Sequence, residues 1–409
     1  MTSITEFATR SALRWILGRI RTGTLEVRWS DDTEELFGDP ADAGVARIEI
    51  RDEASLLSAL IDEGALGLGA TYIEGAWDTP DLAGFLEVAS RNVDIRITSP
   101  RGSALTDRAR SFWDRRPSFA RSHAIGEMGD HYNLGNEFYA AWLDRTMSYS
   151  SARFASSDQS LEDAQIAKYD NLCRMLDLQP GDRVLEIGCG WGGFMEHAAS
   201  RYDVHVTGLT LSDEMATYAR KRLAEAGLTD RTEVKLQDFQ HERAMYDKVV
   251  SIEMIEAVGA EFFETYFAKI GRLLRPDGLA LIQAITTPDD RFSESVGRID
   301  FIKRHIFPGG QLPSLDAMST AWRKQSDLRL LHFEDFGDDY ARTLHEWRTR
   351  FQARIEDVEA LGYPPRFQRM WDFYLASCEG AFAERHCGVA QLLLARPDAR
   401  RAPLRTSVS

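Results

Sequence analysis

The sequence predicts an α/β protein, a doubly wound parallel sheet preceded by a small α+β domain. Three observations carry this. From Arg183 onward, apolar runs of strand length alternate with stretches of helix length, the pattern of a parallel sheet with crossover helices. The first of those runs, Val184–Ile187, follows a Pro180-Gly181 turn, breaks into glycines at 188, 190, 192 and 193, and enters a helix. Residues 1–90 instead mix short strands, a polar turn and helices without that alternation.

In chain order, a helix is predicted over 9–23, with Leu13, Ile16, Leu17 and Ile20 on one face, Arg10, Arg14 and Arg21 on another, and Trp15 near the boundary. Such a helix suits a membrane interface or packing on its own domain, and packing is the plainer reading. Thr24–Trp29 and Glu35–Phe37 flank a polar turn and read as a hairpin, Ala46–Ile50 as a strand, and Leu56–Leu60 as a helix. Gly64 to Pro80 is rich in glycine and aromatics, and Asp81 marks a helix start. Residues 91–121 read as a linker with eight Arg against Asp94, Asp107 and Asp114, locally +5 in an acidic chain. This is either a solvated linker or a surface for anionic head groups. Residues 122–395 form the second domain. Its strands are expected at 183–187, 204–209, 232–236, 246–252 and 279–285, with helices over Leu161–Leu176 and Phe262–Leu274. A helical segment over 289–307 and helices from Tyr340 and Arg366 then cover the sheet as a lid, Val389–Leu394 is a last strand, and 396–409 is a flexible tail.

Composition narrows the function classes. A net charge of -15 argues against general nucleic-acid binding. The four cysteines form no CxxC pair, which argues against a disulfide framework. No motif suggests a metal, and no apolar run approaches the roughly 20 residues of a membrane span. The expectation is a soluble cytoplasmic protein.

The glycine block sets the chemistry. Bare backbone at a strand end and a helix N-terminus allows a ligand to come close. A dinucleotide fold would place an acid at the end of the next strand. Here that strand ends in Thr210-Leu211-Ser212, and the acid, Glu186, sits inside the first strand. This is similar to the S-adenosylmethionine motif of class I methyltransferases, with their Rossmann-like sheet.

Further blocks are more specific: HYNLGNEFY (131–139), MSYSSARF (147–154), SIEMIEAVG (251–259), FIKRHIFPGG (301–310) and CEGAFAER (378–385). With VLEIGCGWGG (184–193), they resemble the cyclopropane-fatty-acyl-phospholipid synthases from about 120 to 395. Gly67-Leu68-Gly69 and Tyr72 to Pro80 resemble that family's leading domain. The resemblance implies transfer of the sulfonium methyl of S-adenosylmethionine to the cis double bond of an unsaturated phospholipid. The resulting cation then loses a proton from that methyl, and a cyclopropane closes. Aromatic faces suit the cation, with Tyr132, Phe138, Phe301, Phe307 and Trp347 as candidates.

The resemblance also implies a bound bicarbonate as proton acceptor, held by a Cys, a Glu, a His, a backbone Ile and a Tyr. Glu256, Ile285 and Tyr340 stand at three of those positions, while Ser151 replaces the Cys and Gln283 the His. Ser and Gln still hydrogen-bond an anion, but neither carries charge. Glu253 adds a carboxylate where many relatives have Gly. It would repel bicarbonate, or act as base if burial raises its pKa. Cofactor contacts carried over are Tyr149, Ser150, Gly188, Cys189, Gly190, Gly192, Thr210, Leu211, Gln237, Asp238 and Ile252, with Glu186 beneath the turn; Met215 replaces a ribose-binding Gln. Cys378 matches a cysteine sometimes assigned to the active site, though no step needs a thiolate and a buried helix cysteine is the plainer reading.

The expected function is a cyclopropane synthase working on unsaturated phospholipid at the inner membrane face, with no nucleic-acid partner and with a homodimer left open. A methyl- or methylidene-branched product is the first alternative, motivated by Ser151, Gln283 and Glu253. An inactive lipid-binding relative is the second.

Overall fold

The computed structural model describes residues 2–39, 45–92 and 134–400. The basic stretch of the linker, His131 and Tyr132, and residues 401–409 lie outside the described residues. The chain divides into two units that are not contiguous in sequence: 1–115, 297–308 and 344–386 form one, and 116–296, 309–343 and 387–409 the other. Segments read from sequence as a lid on the second domain, 301–308 and 344–386, thus fall in the first unit.

The first unit carries a sheet of β1 (Thr24–Arg28), β2 (Glu34–Gly38), β3 (Val45–Ile50) and β4 (Trp77–Asp78), in the order β2-β1-β3-β4. The N-terminal helix runs Thr2–Leu17, earlier than the 9–23 predicted from its apolar face. Its arginines are tied down rather than displayed. Arg10 pairs with Asp31 and Glu53 at 2.6 Å, and Arg14 with Glu35. Leu13 is buried, while Phe7 and Trp15 are 71% and 62% exposed. The glycine-rich stretch after Gly64 is a helix, Ala65–Ile73, that sequence reading left unassigned. Its glycines allow close packing: a Cβ at Gly67 would lie 2.1 Å from the carbonyl O of Ala59, and one at Gly69 2.6 Å from the ring of Phe301. Trp77 is fully buried and donates its indole N–H to Leu68 O at 3.0 Å.

The second unit is built on a seven-stranded sheet. Its strands are β5 (Arg183–Ile187), β6 (His205–Thr210), β7 (Thr232–Leu236), β8 (Tyr246–Ile252), β9 (Leu274–Thr286), β10 (Arg329–Asp335) and β11 (Gly388–Ala395), in the order β10-β11-β9-β8-β5-β6-β7. β5 to β9 pair in parallel, while β11 runs antiparallel to β9 and β10. Alternation sorts each strand onto two faces. Leu185, Ile187, Val249, Ile282 and Leu392 pack in one apolar cluster with helices Phe263–Leu273 and Leu315–Gln325. Val184, Val250, Leu281 and Leu393 pack in the other with helices Leu161–Met175 and Gly193–Tyr202. Glu186, Gln283 and Gln391 share the parity of this second set, so three polar side chains interrupt an apolar face.

Candidate active site

The parallel strands all end on one edge, where α/β sheets bind ligands. β5 runs into Gly188, Gly190 and Gly192 at φ +83°, +49° and +80°, backbone that L side chains rarely adopt. A Cβ at Gly188 would meet Met254 at 2.8 Å, whereas one at Gly190 would meet nothing within 4 Å. The turn is therefore tight on the protein side and open at Gly190. Cys189 follows Gly188 in this turn. Its thiol belongs to the apolar cluster beneath the sheet, its Cβ stands 2.8 Å from where a Gly208 Cβ would be, and burial pushes its pKa up.

Glu186 is buried, and its Oε2 accepts no hydrogen bond among the described residues. Burial pushes its carboxyl up to about 8, against the pull of Lys168. Lys168 is itself fully buried, donates to Ser150 Oγ at 2.6 Å, and is pushed down to about 8 by desolvation. Tyr149 stands half-buried against Tyr139 and Trp142, with ring centroids 5.5 Å and 5.6 Å away. Thr210 Oγ1 accepts from the Ser212 N–H at 3.2 Å, and Leu211 is 40% exposed. Gln237 gives its amide to Glu242 at 3.2 Å, Asp238 caps the next turn through Gln240 N at 2.8 Å, and Ile252 closes β8. An unpartnered buried carboxyl below an open glycine turn suits a ligand with cationic and polar groups.

The second group gathers around Glu253, held at φ +48° just after β8. Its Oε1 accepts the Ser151 backbone N–H at 2.9 Å and the Gln283 amide at 2.8 Å. Tyr340 also hydrogen-bonds this carboxylate. Burial raises the Glu253 pKa, and the Gln283 amide, Lys168, the Ser151 N–H and Tyr340 oppose the rise. Ser151 thus serves through its backbone, since its hydroxyl donates to Ala152 O at 3.0 Å. Glu256 accepts the Ile285 N–H at 2.5 Å and leaves Oε2 buried without a partner. Burial, reinforced by Glu253, lifts its carboxyl to about 8. The two carboxyls therefore differ: Glu253 Oε1 is engaged by donors, whereas Glu256, raised to about 8, is mostly the neutral acid at pH 7.

Glu253 bears directly on the question posed by Ser151 and Gln283. The donors near the expected anion are already engaged by a protein carboxylate. Cys378 lies half-buried on helix Pro365–Ala383 of the first unit. Among the suggested aromatics, Phe138 is buried in the second unit, 6.0 Å from the Trp142 ring, while Phe301, Phe307 and Trp347 belong to the first unit. Sequence reading missed Lys168, Asn171 and Gln391. Gln391 carried the signal that singled out Gln283, an amide inside an apolar strand, whereas Lys168 and Asn171 sit among ordinary helix polars. Among the described residues no cluster of His, Cys, Asp and Glu could hold a metal ion, and no helix is long and apolar enough to cross a membrane.

Known proteins resemble this chain over most of its length. Residues 120–392 match the family model for mycolic acid cyclopropane synthetase. The chain is 36% identical over 390 residues to a tuberculostearic acid methyltransferase of Mycobacterium tuberculosis, covering 92% of this chain and 89% of the relative. It is 35% identical over 357 residues to the cyclopropane-fatty-acyl-phospholipid synthase of Escherichia coli, covering 86% and 89%. A mycolic acid cyclopropane synthase solved with SAH and CTAB superposes with a TM-score of 0.62 at 31% identity, over 66% of this chain and 98% of that one.

Proposed function

The chain belongs to the mycolic acid cyclopropane synthetase family, whose methyl donor is S-adenosylmethionine, and on that premise we propose that it methylates the double bond of an unsaturated acyl chain of a phospholipid and closes a cyclopropane. The observation that carries this reading is the convergence of the Ser151 N–H, the Gln283 amide and Tyr340 on the Glu253 carboxylate. An anion held by fixed donors keeps its position and its charge, which is what a base needs in a dry site.

Bound S-adenosylmethionine supplies an electrophilic methyl on a sulfonium. Gly188 to Gly192 would accept the donor against bare backbone, and Glu186 would compensate its positive charge from below. Ser150, oriented by Lys168, and Tyr149 would line the side facing Glu253. Glu253 then takes the proton that the methylated carbon skeleton must lose. Glu256, neutral, adds no second negative charge to repel the first. No bicarbonate is required in this scheme, because the carboxylate is part of the chain.

A branched product is the second reading, and a specific observation favours it. Glu253 is tethered to the backbone and clasped from two sides, so it reaches only protons near one fixed point. A proton taken from a chain carbon instead of the new methyl would leave a methyl branch beside a retained double bond, and one taken from the methyl after a hydride shift would leave a methylidene branch. The relative named a tuberculostearic acid methyltransferase is as similar as the one named a cyclopropane synthase.

Methyl-trideuterated S-adenosylmethionine with vesicles of unsaturated phospholipid separates these outcomes. Two deuteriums and no double bond mean a cyclopropane, two with a retained double bond mean a methylidene branch, and three with a retained double bond mean a methyl branch. Absence of label in any lipid would overturn both readings.

A further inference from the structure

We infer that Gln391 and Asn171 are positioning residues that set the protonation of Glu253 through a chain of side-chain amides running across the sheet. This rests on the reading of Glu253 as the base. The chain has three links. Asn171 Nδ2 donates to Gln391 Oε1 at 3.0 Å, Gln391 Nε2 donates to Gln283 Oε1 at 2.9 Å, and Gln283 Nε2 donates to Glu253 Oε1 at 2.8 Å. Gln391 and Gln283 are fully buried and stand directly opposite each other in the pairing of β11 with β9.

The direction of the chain is fixed from one end. An ionised carboxylate only accepts. Glu253 therefore requires the NH2 of Gln283, which turns the Gln283 carbonyl toward β11. That carbonyl requires the NH2 of Gln391, whose own carbonyl then requires the NH2 of Asn171. Reading the chain backwards, Asn171 and Gln391 hold Gln283 in the one amide orientation that presents hydrogen rather than oxygen to Glu253. Flipping Gln283 would set its oxygen against the carboxylate and favour the protonated acid. Gln391 and Gln283 are fully buried and Asn171 half-buried, so leaving either glutamine amide unpaired is costly and their orientation is enforced. The charged and titratable groups facing Glu253 are Lys168 on helix Leu161–Met175, Glu256 on the turn after β8, and Tyr340. None of them lies in the amide row, so altering the row leaves them in place.

The test uses the full chain with Gln391→Met, Asn171→Leu and Gln283→Met, each close in volume to the residue replaced. Transfer from S-adenosylmethionine to unsaturated phospholipid vesicles is followed against pH. Infrared titration of the carboxylate band, assigned by its loss in Glu253→Gln, follows Glu253 directly. The expected result is a kcat reduced several-fold or more with KM unchanged, and an acid limb moved up by about one pH unit in Gln391→Met. The shift should be larger in Gln283→Met and smaller in Asn171→Leu, following distance along the row. A wild-type pH profile in Gln391→Met, whatever its stability, would overturn the inference. Should the wild-type protein transfer no methyl, the functional reading fails on that result, and the infrared titration still decides the row: no shift of Glu253 in Gln391→Met overturns it.

Discussion

Glu253 and Gln283 clasp each other from both ends. The main-chain N–H of Glu253 donates to the Gln283 carbonyl O at 2.7 Å, and the Gln283 side-chain amide returns a hydrogen bond to Glu253 Oε1 at 2.8 Å. The first bond continues the β8–β9 ladder by one residue. The second folds the Glu253 side chain back along the strand it pairs with. Glu253 does this at φ +48°, a region that costs a non-glycine residue roughly 1–2 kcal/mol. Strain held at one residue by two strong donors is characteristic of a site in use.

Replacing Glu253 separates its charge from its backbone. Glu253→Gly takes φ +48° freely, so the fold should survive while kcat falls on the order of a hundredfold or more. The Ser151 N–H and Gln283 amide are then released, and added bicarbonate should restore part of the lost rate. Glu253→Gln should lose activity without rescue, since its amide still fills the place. A Glu253→Gly enzyme that turns over like the wild type would remove Glu253 from the reaction.

Gly190 offers a cleaner probe of the donor site than its neighbours. A Cβ there meets no protein atom within 4 Å, while its φ of +49° costs an alanine about 1 kcal/mol. Gly190→Ala should therefore leave thermal unfolding nearly unchanged and weaken S-adenosylmethionine binding at least tenfold by calorimetry. An unchanged Kd would place the cofactor elsewhere on the sheet edge.

Much of the second unit was legible because its signals are local. The strands at 183–187, 232–236 and 246–252 fall where apolar runs of strand length predict them. Their alternation also announces Glu186 and Gln283 as polar intrusions in apolar runs. What was not legible depends on partners distant in sequence. Nothing near Ser151 says that its backbone, and not its hydroxyl, faces Glu253, because that depends on the Ala152 carbonyl taking the hydroxyl. Gln391 is 108 residues from Gln283, and only the antiparallel register of β11 brings them together. Arg10 and Arg14 looked free to meet anionic lipid, because Asp31, Glu35 and Glu53, which bind them, lie beyond any helix spacing.

That pairing changes the test of membrane contact. Charge reversal at Arg14 would disturb its bond to Glu35 as well as any contact with lipid. Phe7 and Trp15, exposed on helix Thr2–Leu17, are the apolar groups available to a bilayer surface. Phe7→Ser combined with Trp15→Ser should lower co-sedimentation with anionic phospholipid vesicles several-fold without altering cofactor binding. Equal co-sedimentation would mean that this helix does not anchor the protein.

Glu186 gives cofactor binding a pH dependence of definite sign. With its carboxyl raised to about 8, the residue is mostly protonated at pH 6. A bound sulfonium favours the ionised form, so binding below pH 8 expels a proton. Affinity should then rise with pH, by up to about tenfold per unit, and level off above pH 8. Calorimetry in two buffers of different ionisation enthalpy reads the released proton directly. Glu186→Gln should bind more weakly and show no such release, and proton release persisting in that variant would point to another group.

Glu256 predicts a slope in stability. Its folded-state carboxyl is raised from the ordinary 4.5 to about 8, so between those values the folded protein holds a proton that the unfolded chain has lost. Stability must then fall as pH rises through that window, by up to about 1.4 kcal/mol per pH unit for one such group. Below the window both states are protonated, and above it both are ionised, so the slope vanishes at each end. Glu186 adds a slope of the same sign, since it too is raised to about 8. Glu256→Gln removes one contribution and leaves the other: its amide is neutral at every pH, with a carbonyl that still accepts the Ile285 N–H. Urea unfolding at intervals from pH 5 to pH 8 should give a shallower decline for the variant, with the two curves diverging toward the alkaline end in favour of the variant. Parallel curves would mean that Glu256 is ionised in the folded protein at neutral pH, and the division of roles between the two carboxylates would have to be reversed.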